Sequence, residues 1–134
     1  MELISSQIGL IVEQKCTTFL LEHGFTVLHP LGNFDKYDIC IEKNGIFYRI
    51  QCKHANLMET GFKLRTNIQS RNGKRRGYTK EDCDFFMTEA YGKFYLFPVW
   101  SALEKKVWTV PSGNPVHTCC YAKDFLAEEV LKTL

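Results

Sequence analysis

The chain carries six cysteines, Cys16, Cys40, Cys52, Cys83, Cys119 and Cys120, but no Cys-x-x-Cys pair. Lacking that spacing, they indicate neither a redox motif nor a common zinc module. Scattered thiols in a reducing compartment usually behave as small buried hydrophobes. A zinc site from His117, Cys119 and Cys120, completed by His54 or Cys52, would match no common ligand spacing. No basic start with an apolar core opens the sequence, and no apolar run approaches membrane-spanning length. A soluble, cytoplasmic protein without membrane contact is the expectation. Repeats, low-complexity tracts and linkers are also missing, which points to one domain over residues 1–134. At 134 residues and 45% hydrophobic, the chain can bury a core without staples.

One absence is local. Between Thr60 and Lys80 there is no Asp or Glu, whereas Lys63, Arg65, Arg71, Lys74, Arg75, Arg76 and Lys80 supply seven of the seventeen basic residues. The net charge of +2 names no partner, but this concentration can neutralise phosphates.

The apolar spacing of Ile8, Ile11, Val12, Cys16, Phe19 and Leu20 predicts a helix from about Ser6 to His23. Ser5 or Ser6 is placed to cap it and Gly24 to end it. At ~100° per residue, Glu13 lies roughly 20° beyond Leu20, on the border of the apolar face. Phe25–His29 reads as a short strand stopped by Pro30 and a Gly32-Asn33 turn. Further strands are expected at Gly61–Thr66, Asp84–Thr88, Phe94–Val99 and, at an edge, Val107–Val110 before Pro111. The segment from Thr66 with Asn72-Gly73 reads as a basic loop, and Thr79-x-x-Asp82 as a capping box opening one helical turn. Ala122–Leu134 is predicted as a closing helix. Helix, mixed sheet and helix give an α/β sandwich.

The most informative stretch is Tyr37-Asp-Ile-Cys-Ile-Glu-Lys, Asn44-Gly45, Ile46-Phe-Tyr-Arg-Ile-Gln-Cys-Lys53. Asn-Gly between two β-rich runs favours a two-residue hairpin turn. Lys43 then faces Ile46, Ile41 faces Tyr48, Ile39 faces Ile50 and Tyr37 faces Cys52 on one nearly apolar side. The same count sets Asp38 opposite Gln51, with Lys53 two residues on and on the same side. A carboxylate, an amide oxygen and an ammonium thus converge at the end of the hairpin far from its turn. Such a set is costly to bury for structure alone.

The ordered series Gly9-x-x-x-Glu13, Gly24-Phe25, Pro30-x-Gly32, Tyr37-Asp38 and Arg49-Ile-Gln-Cys-Lys53 resembles the PD-(D/E)XK nuclease superfamily. The likeness extends through Tyr78, Asp84-Phe85-Phe86 and Phe94-Tyr-Leu-Phe-Pro98. It is nearest to a branch with Gln-x-Lys that includes a cyanobacterial intron-encoded homing endonuclease. The resemblance implies a restriction-endonuclease-like fold, a mixed β-sheet flanked by helices. It also implies that Asp38 is the metal-binding aspartate, that Gln51 stands where most members have Glu or Asp, and that Lys53 is the catalytic lysine. Glu13 matches a first-helix glutamate that can restore the missing negative charge. The Cys52 backbone carbonyl is a further ligand candidate for Mg²⁺, with Mn²⁺ as substitute.

The implied activity is metal-dependent hydrolysis of DNA phosphodiesters, site-specific and of homing type on double-stranded DNA. Holliday-junction resolvases share the Glu, Asp and Lys framework and offer branched DNA as an alternative. Gln51 keeps an inactive DNA-binding module in play. One site per chain implies a homodimer or homotetramer for double-strand cleavage. His54, Lys63, Arg65, Arg71, Lys74, Arg75 and Arg76 are the candidate DNA contacts, for phosphates and, through Arg, for guanine.

Overall fold

The computed structural model describes residues 1–32, 34–70, 72–110 and 119–134. Helix α1 spans Ser5–Glu22 and buries Val12, Cys16 and Leu20, one residue per turn along a single stripe. Neither serine caps it. Ile4 occupies the N-cap position and its N–H donates to Gln7 Oε1 at 2.9 Å, which puts both serines inside the first turn. Gly24 adopts φ +84° and closes the helix as expected.

Strands β1 (Thr26–Leu28), β2 (Ile39–Lys43) and β3 (Ile46–Cys52) follow. Asn44 and Gly45 take φ 54° and 81°, the two positive values that a type I′ turn demands. The hairpin pairs in the counted register from Lys43↔Ile46 to Ile39↔Ile50. Next come β4 (Asn56–Met58), β5 (Gly61–Arg65), β6 (Asn67–Gln69) and β7 (Arg75–Gly77), then β8 (Phe85–Ala90) and β9 (Lys93–Pro98). The chain ends in β10 (Glu104–Trp108), β11 (Cys119–Tyr121), a 3₁₀ turn at Ala122–Phe125 and α2 (Ala127–Leu131).

Three layers result. The central sheet has the order β1-β2-β3-β8-β9 and is mixed, since β3 and β8 run parallel and the other neighbours antiparallel. One face carries both helices over a core of Val12, Cys16, Leu20, Ile39, Ile41, Ile50, Cys52, Met87, Leu96, Ala127 and Leu131. The other face packs on a second sheet, β11-β10-β5-β4, through Phe62, Leu64 and Val107 against Phe86, Tyr95 and Phe97. Truncating a fully buried phenylalanine such as Phe62 or Phe86 would cost roughly 3–5 kcal/mol. Among the described residues no helix is long and apolar enough to cross a membrane.

Several expectations change. The basic segment is not a loop but a hairpin, β6 with β7, set apart from both sheets. β10 is interior, between β5 and β11, rather than an edge. The closing helix is broken at Leu126, whose ψ of 127° is extended and which bridges to Tyr95 at the free edge of β9. Unpaired strand-edge groups take this backbone in place of the helical pattern. Asn33 of the expected turn, Pro111, Arg71 and His117 lie outside the described residues.

Candidate active site

The β2–β3 ladder stops one residue short of the counted pair. Ile39 faces Ile50, and Asp38 N–H donates to the same Ile50 carbonyl at 2.9 Å. Two residues opposing one is the signature of a β-bulge. Its consequence is a change of parity. Tyr37 turns to the core between the sheets, away from the helix-side core that holds Cys52, so the expected pair does not form. Asp38 is likewise not a ladder partner of Gln51. Its Oδ2 instead accepts the Cys52 N–H at 2.9 Å.

Lys53 lies just past the end of β3, its own N–H bonded to Met87 O at 2.9 Å in continuation of the parallel pairing with β8. Its ammonium donates to Tyr78 Oη at 3.1 Å. Tyr78 is buried and stands edge-on to Phe86, with centroids 5.1 Å apart at 89°. Burial lowers the Lys53 pKa, and the neighbouring Asp38 charge partly offsets this. Gln51, half-buried beside Phe86, has no hydrogen bond to its amide among the described residues.

Glu13 reaches the same end of the sheet from α1, and His29 links it to Asp38. His29 Nδ1 lies 3.1 Å from the Asp38 carbonyl and 3.6 Å from Glu13 Oε1. A carbonyl only accepts, so Nδ1 carries the proton. Burial raises the pKa of Asp38, opposed by the Cys52 N–H, Lys53 and His29. Burial also raises that of Glu13, the Asp38 charge adds to the shift, and His29 opposes it. Both carboxylates therefore hold protons more readily than they would in water.

His29 was missed because nothing in the chain between Pro30 and Tyr37 fixes the pairing of β1. The observed register, Leu28↔Cys40, brings the next residue alongside Ile39, from where its ring reaches the Asp38 carbonyl. Tyr78 belonged only to the resemblance and carried no assigned role.

The donor set suits a hard divalent cation. Among the described residues no group of three or more His, Cys, Asp or Glu side chains could hold a metal, so two carboxylates would need an oxygen from elsewhere. The unengaged Gln51 amide offers one. The Cys52 thiol takes no chemical part: the neighbouring Cys16 thiol and burial in the core hold it well above the ordinary thiol range.

The expected DNA contacts divide. Lys63, Arg65, Lys74 and Arg75 lie on the second sheet or the β6–β7 hairpin, all but Lys63 exposed. Arg76 is committed to Asp82, with Nη1 at 2.8 Å and Nη2 at 3.0 Å from its two oxygens. His54 is exposed in a groove of ≈ 420 Å³ with Leu3, Ile8 and Leu57, apart from the lysine beside it. A groove of ≈ 590 Å³ along α1, lined by Leu10, Ile11 and Phe19, is apolar and contains none of the candidate residues.

A mixed sheet with helices on one face, and with the Glu13 and Asp38 carboxylates and the Lys53 ammonium neighbours at one strand end, defines a restriction-endonuclease-like protein. The fold is similar to that of a bacterial homing endonuclease, I-Ssp6803I, with TM-score 0.69 and 22% identity over 96% of this chain and 92% of that one. Residues 4–111 match the profile of the PD-(D/E)XK endonuclease family, and the chain belongs to that family. No curated protein matches the sequence.

Proposed function

We propose that this single domain is a metal-dependent endodeoxyribonuclease that cuts double-stranded DNA site-specifically, in the manner of a homing enzyme, as a cytoplasmic homodimer or homotetramer. The observation that carries this reading is the meeting of Glu13, Asp38 and Lys53 at one end of β3, with two carboxylates held at raised pKa. Clustered, perturbed groups of this kind mark functional sites more often than structural ones.

Glu13, Asp38, the Gln51 amide and the Cys52 carbonyl would hold Mg²⁺, with Mn²⁺ as substitute. When bound, the cation would polarise the scissile phosphate and make a water molecule a better nucleophile. Lys53 sits where a fixed ammonium can donate to phosphate oxygens as water attacks phosphorus and negative charge builds on them. Tyr78 holds that ammonium in place. His29, with Nδ1–H fixed on the Asp38 carbonyl, keeps Glu13 and the bulge together. Lys63, Arg65, Lys74 and Arg75 concentrate positive charge that would draw the duplex to this side of the protein.

The test is incubation with supercoiled plasmid, linear duplex and a synthetic four-way junction, each with Mg²⁺ or with EDTA. Cutting of duplex DNA is expected with Mg²⁺ only. Lys53→Ala should retain DNA binding and lose cleavage by roughly 10²- to 10³-fold. Cleavage in EDTA, or by Lys53→Ala at the native rate, contradicts the reading.

A further inference from the structure

The acid-free segment gains its meaning from strand parity. From Phe62 to Gln69 burial alternates without a break: Phe62, Leu64, Thr66 and Ile68 are buried, while Lys63, Arg65, Asn67 and Gln69 face outwards. β7 adds to both sides of the ribbon. Ile68 faces Arg76 on the inner side, and Gln69 faces Arg75 on the outer side. Arg65, Asn67 and Arg75 line one cleft of ≈ 330 Å³ with Leu103 and Glu104, which confirms that they share a face. Among the described residues Glu104 is the acid of that cleft, facing Arg65 across the ladder and lying 3.8 Å from Lys63 Nζ.

The inner side is fastened down. Arg76 grips Asp82 through two hydrogen bonds, and Asp82 also accepts from Thr79 N–H at 2.9 Å. Gly77 faces Asn67 on the outer row instead, where a Cβ would meet the Ser101 carbonyl oxygen at 1.8 Å, so only glycine lets the Ser101 backbone pack on the ribbon root. The next residue is Tyr78, whose hydroxyl holds the Lys53 ammonium. The ribbon is thus rigid at its base and rooted at the catalytic lysine.

We infer that this ribbon enters the major groove of duplex DNA and that Arg65, Asn67, Gln69 and Arg75 read base edges. The inference rests on the nuclease reading above and adds what sets its sequence preference. A major groove about 12 Å wide admits a two-stranded ribbon. Arg pairs with guanine O6 and N7, and Asn and Gln pair with adenine N6 and N7, each through two hydrogen bonds. Arg65, Asn67, Gln69 and Arg75 have those chemistries, while Lys63, the fifth outward residue, is paired with Glu104. Facing residues have Cβ atoms ~4.5–5.5 Å apart, so Gln69 and Arg75 would address neighbouring bases. Lys74, at the turn, is left to contact phosphate, which positions the ribbon without specifying sequence.

The experiment uses the full chain and a library of randomised duplexes, sequencing the bound and the cleaved molecules separately. The wild-type protein should select a defined sequence. Gln69→Ala and Arg75→Ala should each lose preference roughly 5- to 150-fold at one or two positions and leave the others unchanged. Gln69→Glu should move the preferred base from adenine to cytosine, because a carboxylate accepts from cytosine N4. Lys74→Ala should weaken binding to every sequence alike and reduce the salt slope by about 1. The exposure of these side chains predicts unchanged melting temperatures for all four variants.

Selection of the wild-type sequence by both Gln69→Ala and Arg75→Ala would overturn the inference while leaving the nuclease reading intact. So would DNA cleavage by the wild-type chain without any sequence preference. Absence of both binding and cutting by the wild-type chain would overturn the two together.

Discussion

Asp38 and Asp82 are both partly buried aspartates near cations, yet they titrate in opposite directions. At the root of the ribbon, the Arg76 guanidinium and the Thr79 N–H meet the Asp82 carboxylate, and its pKa falls to about 2. At the candidate site, Asp38 receives one backbone N–H, while Lys53 gives its hydrogen bond to Tyr78. Burial prevails and the pKa rises. The fold satisfies Asp82 internally, so that residue stabilises the chain. It leaves Asp38 and Glu13 under-compensated, the state expected of groups that await a cation.

The sharpest break between the two is a crossed pair of substitutions. Asp38→Asn should reduce cleavage by about 10³-fold. It should also raise the Tm of the metal-free protein at neutral pH by a few degrees. The sign follows from linkage: a carboxylate whose folded pKa is raised favours folding when protonated, and that stability is lost as pH rises through the folded value. Asn keeps an oxygen for the Cys52 N–H and removes the charge. An unchanged or lower Tm for Asp38→Asn, measured by calorimetry in EDTA, would place the strain elsewhere.

Gln51→Glu sharpens the comparison from the other side. A third carboxylate beside Glu13 and Asp38 should tighten Mg²⁺ binding by about tenfold, since affinity rises with ligand charge. The metal-free Tm should fall, because like charges then crowd the site further. Saturating Mg²⁺ should therefore stabilise Gln51→Glu more than the native protein. Equal metal-induced shifts in the two proteins would show that Gln51 does not face the cation.

Next in size is Asp82→Asn, which should leave the chemical step intact and lower Tm by a few degrees at neutral pH. The depressed pKa of Asp82 contributes stability above the ordinary aspartate value of about 3.9. That contribution fades as pH falls towards about 2. Melting curves of native and variant protein should therefore converge across that window. Parallel curves would assign the ribbon's anchorage to Gly77 and Ile68 alone.

The contrast also explains what could be read along the chain. Asn44-Gly45 permits one turn, and that turn fixed the β2–β3 register down to Ile39 with no knowledge of the rest. The α1 stripe was legible at Val12, Cys16 and Leu20, one residue per turn, whereas Ile11, expected on the same face, is exposed in the groove along the helix. The bulge at Asp38 was not, since its cause lies in what packs on either side of the sheet and not in local preference. His29 was hidden for the same reason: β1 joins β2 through a connection whose length sets no register. The second sheet escaped notice because β4 and β11 are three residues each, too short to show alternation. Acidic, amide and ammonium groups could be named from order alone; the groups that position them depend on tertiary pairing.

The smallest expected effect concerns such a positioning group. Phe at position 78 keeps the edge-on packing against Phe86 and removes only the hydroxyl that accepts from Lys53. Tyr78→Phe should therefore fold normally and bind DNA as the native protein does. A hydrogen bond that favours the ammonium raises the lysine pKa, so its loss adds to the lowering already imposed by burial. Cleavage needs the charged form and declines as pH rises through the Lys53 pKa. In Tyr78→Phe that decline should begin at lower pH, with roughly fivefold slower cleavage at neutral pH from about 1 kcal/mol of lost positioning. A merely structural Tyr78 would change Tm and leave the alkaline limb of the rate profile where it was.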